Sequence, residues 1–394
     1  MLCFDFIEKT LGTQGVKLRK AEQNGETIRL RVEMPRKEHR CPGCGKKTDL
    51  IHDYREQKIK GGEANRYRIE ILYRKRRYVC GGCGKRFYEE NSFVGRYKRM
   101  TKMMILTILK MVEGTVSFTE IARQMNVSPQ TVTRLFDRKS SPEAKALPTV
   151  LGIDEFRGNA NGEKFQVSLT DPENHTVLDI LPKRSESFLI RYFLAIPKEE
   201  RDKVQYFVSD MYKPYLRVAQ ICFPKSVHIV DRYHWVRQLF WAFENVRKRE
   251  QKRFGRAHRL YFKRSRKLLM KQLKKLSEDD AQQVLNLLFL SSDLSTAHFY
   301  KECLQKILNG NDPPAAKKKA FMQLVDSMKQ SGVYELEQCA DTYYNWLPGI
   351  LASFDCPYTN GFTEGFNNKI KVLKRNAYGY KCFDRFRKRI LLMA

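Results

Sequence analysis

From Tyr67 to Cys80 the sequence YRIEILYRKRRYVC alternates apolar and polar residues, the period of a strand. Further on the period lengthens. In SFTEIARQMNVSPQTVTRLF, Ser117 to Phe136, the apolar Ile121, Ala122 and Met125 return at helical spacing, and Val127, Val132 and Leu135 form a second set that holds two helices together. Ser117 and Ser128 stand where helix N-caps stand, Pro129 takes the first position of the second helix, and NVS makes the tight turn between them. This is the helix-turn-helix pattern, whose second helix enters the major groove, with Gln130, Thr131, Thr133 and Arg134 as its exposed readers. DRKSSPEAKALP then reads as a linker that closes a domain near residue 146.

From Pro148 the pattern becomes short apolar runs. TVLGIDEF predicts a strand ending in Asp154, and KFQVSLTD and HTVLDILP predict two more, separated by the turn DPENH. SESFLIRYFLAIP reads as a helix, KVQYFVSDMYKPY as a strand ending in Asp210, and AQICFPKSVHIVDRYHWV as a helix and a strand ending in Asp231. The order β-β-β-α-β-α-β-α is that of an α/β domain of the ribonuclease H-like class, in which the strands of Asp154 and Asp210 lie side by side. Two converging carboxylates repel each other and call for a cation, and oxygen ligands select Mg²⁺ or Mn²⁺. Asp231 is a rival ligand, and a structural contact with Arg232 or His234 is the preferred reading.

Helical periods return from about Tyr233 and run to about Pro348, a stretch too long for a bare ribonuclease H-like fold and read as an α-helical insertion. Its first half, Arg247 to Lys275, is dense in Arg and Lys, which favours phosphate contacts. Trp346 could stack on an unpaired base, but a core position is the preferred reading. In the last amphipathic segment Phe366, Ile370, Leu373 and Ala377 fall on one face, and Glu364, Asn368, Lys371 and Arg375 on the other. Glu364 thus heads a polar stripe that would look into the cleft of Asp154 and Asp210 as a third carboxylate, with Lys371, Lys374 and Arg375 holding DNA phosphates. A helix-N-terminal Glu acting on the helix dipole is the simpler alternative.

Charge changes the picture most. The 394 residues carry 74 Lys+Arg against 44 Asp+Glu, a net charge of +30, which points to a polyanionic partner. The opening MLCFDFIEKTLG has an early acid and no long apolar run, so no signal peptide is expected, and no stretch reaches the ~20 apolar residues of a membrane span. A cytosolic protein is expected. In that compartment cysteines are metal ligands or free thiols more often than disulfides. Cys41 and Cys44, and Cys80 and Cys83, form two Cys-x-x-Cys pairs, each followed by Gly. Four soft ligands on two such knuckles suit tetrahedral Zn²⁺ in a closed, structural site, although the pairs stand further apart than in a minimal zinc ribbon. His39 and His52 are spare candidates, read as surface or packing residues.

GIDEF, VSDMYKPY, VDRYHWV and TEGFNNKIKVLKRNAYGY, behind paired Cys knuckles and a helix-turn-helix, resemble a bacterial insertion-sequence transposase of the ISL-three family. The resemblance implies a DDE transposase with Asp154, Asp210 and Glu364 as its triad, two metal ions clamped for in-line displacement, an N-terminal region that binds terminal inverted repeats, and a dimer or larger assembly that synapses two ends. The expected organisation is a zinc-binding domain over residues 1–95, a helix-turn-helix domain over 96–146, a ribonuclease H-like catalytic domain over 147–235 and 356–394, and a helical insertion over 236–355. Two other classes stay open: a catalytically silent DNA-binding regulator derived from a transposase, and a metal-dependent nuclease of the same fold that cleaves without joining.

Overall fold

The computed structural model describes residues 15–64 and 67–394; the opening stretch read for a signal peptide lies outside them. The chain divides into two compact units, one of the residues up to Pro142 together with Lys369–Met393, the other Glu143–Asn368.

The first unit opens with a sheet of five strands: β1 (Lys17–Asn24), β2 (Thr27–Glu33), β5 (Ile51–Ala64), β6 (Tyr67–Val79) and β7 (Arg86–Tyr88). Their order is β1-β2-β6-β5, with β7 also on β6. The alternating stretch is β6; Ile71 and Tyr73 face the sheet's core and are fully buried, while Tyr78, on the other face, is buried against His39 and Phe87. A small hairpin, β3 (His39–Arg40) with β4 (Lys47–Thr48), carries the first Cys pair. Three helices follow: α1 (Lys102–Met111), α2 (Phe118–Gln124) and α3 (Pro129–Arg138). The hydroxyl of Ser117 accepts from the Glu120 amide and that of Ser128 from the Thr131 amide, the two caps expected from sequence. Ile121, Ala122, Val132 and Phe136 make the core between them. Asn126, at φ 48, turns the chain from α2 toward α3.

The second unit is built on a sheet of β8 (Val150–Phe156), β9 (Gln166–Asp171), β10 (Thr176–Leu181), β11 (Tyr206–Ser209) and β12 (Val227–Val230), in the order β10-β9-β8-β11-β12. The first three form an antiparallel meander, and β8-β11-β12 are parallel. Helices α4 (Glu186–Leu194), α5 (Lys198–Arg201) and α6 (Lys213–Cys222) supply the crossovers. Leu151, Ile153, Leu169 and Phe207 from the sheet meet Leu189, Phe193, Val218 and Phe223 from the helices in one core.

A helical array follows: α7 (Arg232–Gln251), α8 (Arg256–Arg264), α9 (Arg266–Met270), α10 (Glu278–Phe289), α11 (Ser292–Asn309), α12 (Pro314–Lys329) and α13 (Tyr334–Asp355). Its core is built around Trp235, Leu239, Phe243, Phe321, Tyr343 and Ile350. Helix α13 also lies against β12. A Cβ on Gly349 would sit 2.7 Å from the Val230 side chain, so only glycine permits that approach. Trp346 is buried in this array. The basic stretch read as phosphate-facing is partly spent inside it: Arg247 is buried on Glu244 and the Phe262 carbonyl, and Arg249 binds Glu335 and Asp293. Acids on the same and on distant helices take these cations, which charge density along the sequence does not reveal.

The chain ends with α14 (Gly361–Asn376) and α15 (Phe383–Met393). Lys388 Nζ donates to the carbonyls of Phe136 and Asp137, Arg385 makes a two-bond ion pair with Asp137, and the buried Arg389 donates to the carbonyls of Gly114 and Val116. In this way α15 braces the helix-turn-helix. Among the described residues no helix is long and apolar enough to cross a membrane.

Candidate active site and metal centre

Parallel pairing of β8 with β11 puts Gly152 opposite Val208. Two residues further along each strand come Asp154 and Asp210, so the two carboxyls emerge side by side from the same face. Asp154 lies within its strand and Asp210 just beyond the end of β11. The Asp154 carboxylate accepts from its neighbour Glu155 N–H at 2.8 Å and from Asn367 Nδ2 at 2.9 Å. Burial pushes the Asp154 carboxyl up to about 7 against the pull of the Glu155 amide, and the charges of Glu155 and Glu364 add to the rise. Burial, followed by the charges of Glu155 and Asp154, likewise pushes Asp210 up to about 7. Asp210 Oδ1 is buried and has no hydrogen-bond partner among the described residues.

Glu364 arrives on the first turn of α14, and Asn360 determines where that turn begins. Asn360 Nδ2 donates to the Ile153 carbonyl on β8 at 3.1 Å, and its backbone N–H donates to Asp231 Oδ1 at 3.0 Å. Gly152 makes room for this, because a Cβ there would sit 3.0 Å from Asn360 Oδ1 and 2.6 Å from Thr170 Oγ1. The next turn adds two buried polar contacts, Thr363 Oγ1 with Thr170 Oγ1 at 2.7 Å and Asn367 Oδ1 accepting from Ser168 at 2.7 Å. Glu364 itself is partly exposed, with His234 Nε2 3.5 Å from its Oε1. Asp231, Glu364 and His234 bring ligand atoms within 4.8 Å of one another. Among the described residues Asp154, Asp210 and Glu364 do not form so tight a group. Asn367, one turn after Glu364, is the bond between α14 and Asp154.

These pKa shifts fix the sign of a pH effect. An acid whose folded pKa lies above its unfolded value near 4 keeps its proton longer in the folded state, so stability falls as pH rises from about 4 to about 7 and then levels. Protein freed of metal with EDTA should therefore lose on the order of several kcal/mol between pH 4 and pH 8 from these two groups together. Denaturant midpoints across that range check it. The loss should shrink in an Asp154→Asn, Asp210→Asn double variant; an equal loss there would contradict it.

The four cysteines converge in the first unit. Cys41 Sγ lies 3.5 Å from Cys83 Sγ, and Cys44 Sγ lies 3.5 Å from Cys80 Sγ. The two knuckles repeat each other: the amides of Gly43 and Gly82 point at Cys41 and Cys80 Sγ at 3.4 Å, and Gly45 and Gly84 turn with φ near 72 and 70. The amides of Cys44 and then Gly43 hold the Cys41 thiol down to about 6, and those of Cys83 and then Gly82 lower Cys80. Four sulfurs at this spacing, two of them biased toward thiolate, fit a tetrahedral thiolate site, where ~2.3 Å Zn–S bonds put the sulfurs under about 4 Å apart. His39 packs on the Tyr78 ring at 4.6 Å and His52 binds Asp53, so neither is needed as a ligand. On α3, Gln130 and Arg134 are exposed, whereas the hydroxyls of Thr131 and Thr133 bond to Ser128 Oγ and the Pro129 carbonyl. Lys371 and Arg375 on α14 are exposed and Lys374 is half-buried.

Residues 151–390 match the family model for the DDE domain of ISL3 elements, described as a transposase. The chain belongs to transposase family ISL3. Residues 89–138 match the helix-turn-helix domain of the same family, and residues 37–83 match the zinc-finger of transposase IS204/IS1001/IS1096/IS1165. The chain is also similar to the transposase for insertion sequence element IS1001 of Bordetella parapertussis, 26% identical over 97% of this chain and 96% of that protein. A short stretch is 47% identical to an ATP-dependent protease of Lactococcus lactis, covering 13% of this chain and 16% of that protein. The protein is therefore a transposase with a zinc ribbon, a DNA-binding helix-turn-helix and a DDE domain in that order, and the silent regulator is not favoured.

Three residues beside the candidate acids, Glu155, Asn360 and Asn367, are absent from the sequence reading, and His234 enters it only as a contact for Asp231. Glu155 sits beside Asp154 in GIDEF, where Arg184 and the Tyr215 hydroxyl bind its carboxylate. His234 meets Glu364, and Asn360 seats the helix. Asn367 replaces Asn368 as the residue that reaches Asp154: Asn367 is buried and Asn368 exposed. The doublet Asn367–Asn368 was visible, and Thr363 with Asn367 at helical spacing marks a polar strip inside the buried face. Asp231 accepts from the Asn360 amide, a contact the sequence did not suggest, stands 3.9 Å from His234, and shares with His234 and Glu364 a group of potential ligand atoms.

Proposed function

We propose that this transposase binds the terminal inverted repeats of its insertion sequence and carries out divalent-metal-dependent strand cleavage and strand transfer in a ribonuclease H-like domain, with α7 to α13 as its helical insertion. The observation that carries the reading is the pair Asp154 and Asp210. Two carboxyls stand together, both pushed up by burial, with the charge of Asp154 adding to the rise at Asp210, and one oxygen of Asp210 has no hydrogen-bond partner among the described residues. A buried acceptor left so exposed to its neighbour's charge is costly unless a cation completes it.

In this reading Asp154, Asp210 and Glu364 hold Mg²⁺ or Mn²⁺, hard ions suited to an all-oxygen set. When bound, the metal supplies polarisation of the scissile phosphate and activation of the attacking water or 3′-hydroxyl. The remaining work falls to the chain. Asn367 and the Glu155 amide fix the two oxygens of Asp154. Asn360 and Asp231 fix the start of α14, so that Glu364 faces the other two acids. Arg184 and Tyr215 bind Glu155, keeping that fourth acid out of the ligand set. Cys41, Cys44, Cys80 and Cys83 hold structural Zn²⁺. Gln130, Thr131, Thr133 and Arg134 face the bases of the repeat, with the two Thr released from their local bonds on binding, and Lys371, Lys374 and Arg375 neutralise phosphates. The working form is a dimer or larger assembly in the bacterial cytoplasm, because two ends must be held together.

Asn367 gives a graded test. Asn367→Ala leaves the Ser168 hydroxyl and Asp154 Oδ2 each without their buried partner, so the protein should lose about 1–3 kcal/mol of stability and cleavage should fall about 10–100-fold. Asn367→Asp should be worse, since it adds a third charge beside Asp154. Cleavage rates and denaturant midpoints measured together check this, and unchanged cleavage in both variants would contradict it. The reading as a whole is tested by Mg²⁺-dependent nicking of a labelled fragment that carries the DNA flanking the gene, with binding measured alongside.

A further inference from the structure

Helix α7 carries a run of side chains that the cleft does not use. Tyr233, Arg237 and Trp241 follow one another at intervals of four residues and so share one face. The Arg237 guanidinium stands 5.2 Å from the Tyr233 ring centre and 4.2 Å from that of Trp241. Both rings are about half exposed, at 53% and 48%, while Arg237 Nε is buried without a hydrogen-bond acceptor among the described residues. The run begins at the site. The Tyr233 ring meets His234 edge-on at 5.5 Å, and His234 stands 3.5 Å from Glu364.

The other two tryptophans show what packing looks like in this unit: Trp235 is fully buried and Trp346 is 7% exposed. Trp241 instead leaves half of its large surface in water with a cation against its face. An exposed ring beside a guanidinium offers what an unpaired base needs, a π-face to stack on and a charge for its phosphate. A base inside a duplex has both faces covered and cannot use it. The chain's charge of +30 selects a polyanion over an acidic or neutral protein segment of lower charge density.

We propose that Tyr233, Arg237 and Trp241 form a stacking platform for an unpaired base of the DNA strand that runs to Glu364. The proposal rests on the reading of Asp154, Asp210 and Glu364 as the cutting site. On that reading the strand passes His234, and a base freed from its partner beside the scissile phosphate falls on the Tyr233–Trp241 face. Stacking of this kind tolerates any base, so the platform adds hold on opened DNA without adding sequence preference.

The test uses the full chain, oligothymidylate of about twelve nucleotides as the unpaired probe, and a blunt duplex of about the same length. Acrylamide should quench Trp241 emission, since the other two tryptophans are buried, and saturating oligothymidylate should shield it. Trp241→Ala should bind oligothymidylate roughly ten- to hundred-fold more weakly at fixed salt, while its affinity for the duplex changes less than about two-fold. Trp241→Phe, which keeps a ring, should retain most of the single-strand affinity and serves as the control for folding. Equal losses on both probes, no loss on either, or Trp241 emission as open to acrylamide with DNA as without it would each overturn the proposal. Asp154→Asn should match the unmodified chain in this binding assay. If Asp154→Asn still cut DNA, the reading of the cutting site would fall, whatever the platform showed.

Discussion

Asp154→Asn and Glu364→Gln should each abolish DNA cleavage and leave binding to the element's end unchanged. Either amide keeps the shape of the side chain and removes a metal-ligating charge. Asp154 is buried, bonded to Asn367 and pressed by the charges of Glu155 and Glu364. Loss of a ligand there should slow cleavage on the order of 10³-fold or more, about 4 kcal/mol of barrier. Binding should persist because the substituted residues lie in the second unit, whereas the proposed readers Gln130 and Arg134 lie on α3 of the first. A further consequence separates the two substitutions. Asp154→Asn removes a buried carboxyl that is costly to ionise, so the metal-free variant should be more stable than the unmodified protein above pH 7. Glu364 is partly exposed and its replacement should change stability little. A proportional fall in cleavage and binding would remove Asp154 from the catalytic role.

The second large effect lies at the knuckles. Cys80→Ser should bring zinc content down toward zero and weaken recognition of the element's ends. Serine preserves the turn but offers a neutral hydroxyl where Zn²⁺ binds thiolate. Cys80 Sγ is 3.5 Å from Cys44 Sγ, and its own amide ties the second knuckle to the Lys85 carbonyl. Structural zinc contributes on the order of 10 kcal/mol to the folding of small metal domains, so the short hairpin β3–β4 and strand β7, which have little core of their own, should lose order. The helix-turn-helix has its own core, capped helices and the brace of α15, and should stay folded. Elemental analysis and a binding titration on the purified variant check this; an unchanged zinc content would refute the knuckle reading.

Much of this was legible because it depends on local rules. The caps at Ser117 and Ser128, the alternation of β6, the two knuckles and the strand order before and after α4 all follow from period, turn chemistry and spacing. Side-by-side placement of Asp154 and Asp210 follows from strand order alone. What escaped the sequence is set by contacts distant along the chain. Asn367 owes its role to Ser168 and Asp154, and Arg247 its burial to Glu244 and the Phe262 carbonyl. A helical wheel reports which face is polar but not that a buried strip inside the apolar face is polar too. For that reason Asn368 was placed in the cleft and Asn367 was not.

The account stands most directly on one measurement: strand cleavage with Mg²⁺ on a labelled fragment carrying the DNA that flanks this gene, with the unmodified protein run beside Glu364→Gln. The account predicts nicking at a defined repeat end by the unmodified protein and none by the variant, with equal binding by both. Specific binding without cutting by either, or cutting by both alike, would contradict it and return Glu364 to the role of a carboxylate at a helix N-terminus.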